Sequence, residues 1–251
     1  AVCLGDVLHG FGYHNVYIGS DALPFSGKGK FFQDHHYDEV LGRDELKGHL
    51  KPKDMNFWGL YDDDLLSLVK AKLIQLHAQK QPFNLTFNTI DTHGPDGHFS
   101  KYCKAHGIKD FPGIVECTSN QVAELVLFMK RSGYFKDTNV VILGDHLAME
   151  NPVSDKLDTI KERHVFNRFI SAKPVTKNRE DVLHFDMFPT ILEFVGFKVE
   201  GGKLGLGFTA ISKNTDLPPA TEYEDMNEDL LNQSDEYLDL WKQKEVTANP
   251  N

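Results

Sequence analysis

The chain has 251 residues, 40% of them hydrophobic and 25% charged, which is ordinary globular composition and enough length for a substantial core. Its net charge of −10 argues against a general nucleic-acid binder or a basic membrane-surface protein. No apolar run is long enough to span a bilayer, and no signal peptide is present. The 12 histidines keep metal or phosphate chemistry in play.

The chain opens Ala-Val-Cys-Leu-Gly-Asp. Without an initiator Met or a polar leader, this start reads as that of a fragment, and a missing leader then says nothing about compartment. Residues 5–12 form an expected short helix with a Gly stop, and Asn15–Gly19 an expected strand. Ser20–Lys30 is a loop rich in Gly, Ser and Pro. Asp62–Gln79 reads as an amphipathic helix: three aspartates favour its positive end, and Leu66, Val69, Leu73 and Leu76 give the apolar stripe. Phe83–Ile90 alternates like a strand and runs into Asp91-Thr-His-Gly-Pro-Asp-Gly-His98.

Cys103 and Cys117 are close in sequence. They would bridge in an oxidising compartment, and a zinc reading is weaker because no CxxC spacing occurs. Cys3 has no evident partner, which again points to sequence upstream. Thr118 with Gln121 resembles a capping box opening a helix that stops at Ser132-Gly133. The apolar run from Asn139 to Leu143 reads as a buried strand ending in Gly144-Asp145-His146. Val165–Ala172 is a further strand, and Asp181–Gly196 a helix kinked or restarted at Pro189. Thr221 with Glu224 resembles a second capping box, opening a helix acidic on one face with Met226, Leu230, Tyr237 and Trp241 on the other. Strands alternating with helices imply an α/β class with a largely parallel sheet.

Three places could carry chemistry. Asp145 and His146 are a ligand pair suited to a divalent cation. Neighbours on a regular strand point to opposite faces, so both reach one ion only if the chain turns, which Gly144 permits. The bland alternative is a polar strand end with a surface His. The second place is Asp91, His93, Asp96 and His98 in a Gly/Pro loop. There His93 could donate to a phosphate oxygen or protonate a leaving group; otherwise the loop is a polar turn. The third is Ser20-Asp21 through Lys28. Its glycines allow close backbone approach and Lys28 offers a point charge, although no P-loop spacing is present and a solvated Lys fits as well. Nucleophiles are lacking: there is no GxSxG, Thr92 adjoins His93 without triad geometry, and Ser20 and Thr89 have no evident base.

Several segments together resemble the sulfatase and lipoteichoic acid synthase-like families of the alkaline phosphatase superfamily. Gly12-Tyr-His-Asn-Val-Tyr-Ile-Gly19 resembles the GYxTxxIGK segment, and Trp58-Gly-Leu-Tyr-Asp-Asp63 the WGxxD segment. Gly144-Asp-His146 resembles the metal-binding GDH, and His184-Phe-Asp-Met-Phe-Pro-Thr-Ile-Leu192 the DxxPTLL helix. A narrower likeness rests on Ser20-Asp-Ala-Leu-Pro-Phe-Ser-Gly-Lys28, Asp91–Gly97, Gly144–Met149 and Leu204-Gly-Leu-Gly207. These are similar to the phosphoglycerol transferases that decorate osmoregulated periplasmic glucans.

The resemblance implies an alkaline-phosphatase-like α/β/α sandwich with a largely parallel central sheet, here incomplete at its N-terminal edge. Residues 1–215 would be the catalytic domain and 216–251 an acidic helix and tail. It implies transfer of glycerol phosphate from phosphatidylglycerol to a glucan through a metal-activated Thr, on the periplasmic face of a bacterial inner membrane. The membrane contact would come through segments outside this chain. Asp145 and His146 carry over as metal ligands, for Mn²⁺ with Zn²⁺ or Mg²⁺ as alternatives. His93, Asp21 and Lys28 carry over as substrate contacts. The Thr and an upstream acid precede the matching segment in relatives, so this chain would hold half a metal site and be inactive alone. A sulfatase or phosphodiesterase of the same fold, and a non-catalytic glycan-binding module, are the competing readings.

Overall fold

The computed structural model describes residues 2–49, 55–212, 226, 228–232, 234, 235 and 238. The chain divides into two compact units, residues 2–176 and 177–251.

In the larger unit, α1 (Leu4–Gly10) leads through a turn to β1 (His14–Gly19), then α2 (Lys28–Asp34) and β2 (Glu39–Leu41). Next come α3 (Arg43–Leu46), α4 (Asp62–Ala78) and β3 (Phe83–Asn88). The three strands form one parallel sheet in the order β2-β1-β3, with Ile18 opposite both Leu41 and Phe87. Side chains alternate across a strand, and β1 buries both faces. Val16 and Ile18 join Leu65, Leu66, Val69, Leu73 and Leu76 of α4 in the main core. Tyr17, on the other face, stacks on Phe32 of α2. Helices on both faces of a parallel sheet are the α/β/α arrangement expected from the sequence.

The loop expected over Ser20–Lys30 is shorter than that: a 3-10 turn at Phe25–Gly27 passes directly into α2 at Lys28. Downstream of β3, α5 (Lys101–Ala105) precedes α6 (Phe111–Arg131). The expected capping box at Thr118 is not a helix start. The N-cap is Asp110, whose side chain accepts from the Gly113 N–H, and Pro112 lies in the first turn, where a missing N–H costs nothing. Thr118 and Gln121 are buried within α6. The stop at Ser132-Gly133 is as expected, with Gly133 left-handed.

β4 (Val140–Leu143), a short α7 (Ser154–Leu157) and β5 (Asn167–Ile170) complete this unit. β4 pairs antiparallel with β5. Its residues are half-buried rather than buried, and Leu143 is 40% exposed. An apolar run specifies a strand without specifying its neighbours.

In the unit from 177, a 3-10 turn at His184–Asp186 leads into α8 (Met187–Phe194), followed by a hairpin of β6 (Lys203–Leu204) and β7 (Gly207–Phe208). Pro189 falls in the first turn of α8, so the helix restarts there without a kink. Buried Asp186 accepts from the Leu183 and Phe208 N–H groups, both at 2.7 Å, and pairs with Arg179 at 2.8 Å. The Thr190 hydroxyl accepts from the Ala210 N–H at 3.0 Å. Gly207 passes so close that a Cβ there would lie 1.9 Å from the Phe185 carbonyl. The His184–Leu192 motif therefore holds the Leu204–Gly207 segment in place. Of the expected C-terminal helix, Thr221, Glu224, Tyr237 and Trp241 lie outside the described residues.

Candidate functional site

Parallel strands end on the same edge of a sheet, where open α/β folds place their chemistry. Gly19 and Asn88 are paired at the C-terminal ends of β1 and β3. Ser20-Asp21 and the Asp91–His98 loop therefore leave from one edge.

Asp21 is buried and forms an ion pair with Lys28 at the start of α2. The Lys28 ammonium lies 5.2 Å from the centre of the Phe25 ring. Phe25 in turn meets Trp58 edge-on at 5.0 Å, and Trp58 meets His93 at 4.7 Å. The Asp21–Lys28 pair and the distant His93, marked as substrate contacts, are thus linked through two aromatic rings. Trp58 reaches this position because Gly59 lies against the end of β1: the Leu60 N–H donates to the Ser20 carbonyl at 3.0 Å. A Cβ on Gly59 would stand 1.8 Å from that oxygen. Phe25 belongs to the loop segment Ser20–Lys28, and its place against Trp58 depends on tertiary contact that no spacing reveals.

His93 is half-buried, and its Nδ1 lies 2.9 Å from the Gly94 carbonyl. A carbonyl can only accept, so Nδ1 carries the proton and the neutral ring presents Nε2 as an acceptor. The loop closes on itself, with the Gly97 N–H donating to the His93 carbonyl at 3.1 Å and the His98 N–H to the Asp91 carbonyl at 2.7 Å. Gly97 has a φ of +70°, which suits glycine. Burial, and next the proximity of His93, push the pKa of His98 down.

Beneath this loop lies a pair of fully buried carboxylates. Asp62 Oδ1 accepts from the Ile90 N–H at 2.7 Å and the Asp91 N–H at 3.2 Å, and Asp62 Oδ2 accepts from the Thr118 hydroxyl at 2.9 Å. The sequence marks Asp62 as a helix-start charge and as the Asp of the WGxxD segment; its link to Asp91 exists only in the folded chain. Burial, then the charge of Asp62, pushes Asp91 up to about 8. Asp62 is also raised, chiefly by burial.

Asp145 and His146 lie beyond the last residue of β4, where the chain bends as expected. Asp145 Oδ2 and His146 Nε2 are 3.3 Å apart. Metal bonds of about 2.1 Å separate adjacent ligand atoms by roughly 3.0–3.4 Å, so these two atoms fit neighbouring corners of a coordination shell. The His146 N–H donates to Asp145 Oδ1 at 2.9 Å, and His146 Nδ1 donates to the Leu147 carbonyl at 2.7 Å, which leaves Nε2 available. The side chains are 86% and 57% exposed. Among the described residues, no third His, Cys, Asp or Glu closes on the pair. The segment that follows runs to the His93 loop: a Cβ on Gly94 would lie 2.6 Å from the Glu150 carbonyl.

The disulfide Cys103–Cys117 is formed and joins α5 to α6. It fastens the stretch that follows the His93 loop, where the Tyr102 N–H also donates to Asp63 Oδ2 at 3.0 Å.

The sulfatase family model matches residues 1–197. The chain belongs to the sulfatase family. A curated relative of this sulfatase-family chain, phosphoglycerol transferase I of Shigella flexneri, is 32% identical over 250 residues, covering 96% of this chain and 32% of the relative. The chain thus spans about a third of the length of the curated relatives it matches. Two solved structures share the fold. One is an alkaline phosphatase superfamily protein from Vibrio parahaemolyticus (TM-score 0.58, 22% identity, 77% of this chain and 47% of that one). The other is the lipoteichoic acid synthase LtaP from Listeria monocytogenes (TM-score 0.59, 15% identity, 84% and 57%). Sulfatase-family members are typically metal-dependent.

Proposed function

We propose that this sulfatase-family chain is part of a phosphoglycerol transferase that moves glycerol phosphate from phosphatidylglycerol to a hydroxyl of a periplasmic glucan, at the outer face of the inner membrane. The observation that carries the reading is the pairing of Asp145 Oδ2 with His146 Nε2 at 3.3 Å, in a chain 32% identical to a protein named phosphoglycerol transferase I.

Asp145 and His146 would hold a divalent ion, with Mn²⁺ favoured over Zn²⁺ or Mg²⁺. Such an ion supplies positive charge to a phosphate and lowers the pKa of a bound hydroxyl. His93 positions the substrate. Its Nδ1–H is committed to Gly94, so neutral His93 accepts a glycerol hydroxyl on Nε2 and protonated His93 donates to a phosphate oxygen. The Asp21–Lys28 pair, neutral as a whole, holds the Lys28 ammonium in place on the same sheet edge. The attacking group in this reading is a Thr hydroxyl that is not one of these 251 residues. Its attack on phosphorus breaks the bond to diacylglycerol, whose oxygen takes up the Thr proton; the glucan hydroxyl then attacks the same phosphorus, forming the glucan–phosphate bond as the Thr–phosphate bond breaks, and its proton returns to the Thr oxygen.

The test is glycerol phosphate transfer from labelled phosphatidylglycerol by the full-length protein. Asp145→Asn and His146→Ala are expected to abolish turnover with little change in unfolding midpoint, because both side chains are exposed. Near-wild-type turnover would remove the metal assignment. Turnover of a sulfate ester without phosphatidylglycerol cleavage would move the reading to a sulfatase. His93→Ala is expected to slow transfer by about 10²-fold or more.

A further inference from the structure

On the face of the sheet opposite α4, a second group of atoms able to ligate a metal comes together. Cys3, Asp6 and His35 are half-buried, and one ligand atom from each lies within 4.8 Å of the others. Two elements supply them. Cys3 and Asp6 flank the start of α1, and His35 follows α2.

The carboxylate of Asp6 is fixed from three sides. Oδ2 accepts from the Cys3 N–H at 2.8 Å and faces His35 Nδ1 at 2.8 Å, and Oδ1 faces His36 Nδ1 at 2.7 Å. Burial alone would raise its pKa; the hydrogen bond from Cys3 and those to His36 and His35 outweigh this and hold it at about 2. His36 is itself stacked on His9 at 4.8 Å.

The two backbones are locked together beneath these side chains. Asn15, fully buried on β1, donates from Nδ2 to the Gly5 carbonyl and to the His36 carbonyl, each at 2.9 Å. Gly5 lies so close to the turn that a Cβ there would be 2.2 Å from the His35 carbonyl. The backbone that carries the donors is therefore fixed by contacts that do not involve the donor atoms. Preorganisation is what separates a metal site from a chance grouping of exposed side chains.

We propose that Cys3, Asp6 and His35 bind a borderline divalent cation of the Zn²⁺ class, fastening α1 to the end of α2. A thiolate, an imidazole and a carboxylate form a donor set that zinc accepts. Tetrahedral bonds of about 2.0–2.3 Å place ligand atoms roughly 3.2–3.8 Å apart, so closure needs only small side-chain adjustments from the present spacing. His36 stays on the second oxygen of Asp6 and orients the carboxylate, as outer partners of metal ligands do. Burial, then the Asp6 charge, pushes the Cys3 thiol up. Coordination uses lone pairs on the Cys3 sulfur and His35 Nδ1: the thiol proton passes to solvent, and the Nδ1 proton now held against Asp6 Oδ2 is replaced by one on Nε2. The site is separate from Asp145–His146 and independent of the function proposed for that pair.

The probe is Co²⁺ added to the protein with its disulfide intact. Cys103 and Cys117 are bridged, so Cys3 is the free thiol, and only coordination by Cys3 gives a thiolate-to-cobalt charge-transfer band. The band is expected to appear, to be displaced by Zn²⁺, and to vanish in Cys3→Ser. His35→Ala should weaken Co²⁺ binding by about 10-fold or more, while Asp145→Asn with His146→Ala leaves the band unchanged. Zn²⁺ should also protect Cys3 of the unmutated protein from alkylation, a readout that needs no variant to fold. No band at millimolar Co²⁺, no protection by Zn²⁺, or a band of unchanged midpoint in both His35→Ala and Asp6→Asn would each overturn the proposal.

Discussion

Asp62 and Asp91 hold one another reciprocally: the Asp62 N–H donates to Asp91 Oδ2 at 3.2 Å, and the Asp91 N–H donates to Asp62 Oδ1 at 3.2 Å. Both side chains are fully buried. The exchange ties the start of α4 to the loop that carries His93. Asp91 Oδ1 is buried without a hydrogen-bond partner among the described residues. Burial, then the charge of Asp62, favours a protonated Asp91.

That proton makes stability depend on pH. The folded-state pKa of Asp91 is raised to about 8, against about 3.9 in an unfolded chain. Between those values the folded state binds more protons than the unfolded one, so stability falls as pH rises. The contribution is fully present below about pH 4 and is lost by about pH 8. Asp91→Asn mimics the protonated acid and removes it. Urea midpoints at pH 5 and pH 8 are expected to differ less in Asp91→Asn than in the unmutated protein. An equal difference in both would show that Asp91 is not protonated by folding.

Thr118 donates its hydroxyl to Asp62 Oδ2 from the middle of α6. Thr118→Val keeps the shape and removes the donor, leaving a buried carboxylate oxygen without it. The expected cost is about 1–3 kcal/mol, read from urea unfolding. Thr118→Ser should restore most of it. A neutral Thr118→Val would mean that Asp62 is satisfied without Thr118.

The bridge between Cys103 and Cys117 closes a short loop, with a sequence separation of 14 residues. Replacing both by Ser should cost about 2–4 kcal/mol. A thiol count of the oxidised protein under denaturing, non-reducing conditions should return one thiol, that of Cys3. Three thiols would reject the bridge.

What the sequence made legible was local. The 3.6-residue stripe of Leu66, Val69, Leu73 and Leu76 located α4, and all four are buried. Alternation located β3, and the Gly/Pro density of 94–97 located the His93 loop. Thr118 misled because a hydroxyl three residues before Gln reads the same at a helix start and in a helix interior facing a buried acid. The antiparallel pairing of β4 was hidden because an apolar run does not name its partner. Links that cross the fold were the least legible: Asp62 to Asp91, Phe25 to Trp58, and Asp6 to His35 join residues 29 or more positions apart, and only the folded chain brings them together.

Gly59 sets the place of Trp58. The Ser20 carbonyl that a Cβ on Gly59 would meet at 1.8 Å is backbone at the end of a fully buried strand segment, so it cannot yield by rotating. In Gly59→Ala the Trp58 segment must move away from β1 instead. That would break the hydrogen bond from the Leu60 N–H to Ser20 and pull the indole from His93 and Phe25. Overpacking of this kind costs about 1–3 kcal/mol. Trp58 is one of two tryptophans in the chain, so its displacement should also shift the emission toward that of a solvated indole. Trp58→Phe is the control: it keeps Gly59 and should lose the emission of Trp58 with a smaller loss of stability. Wild-type stability together with unchanged emission in Gly59→Ala would mean that the close approach of Trp58-Gly59 to β1 does not position the indole.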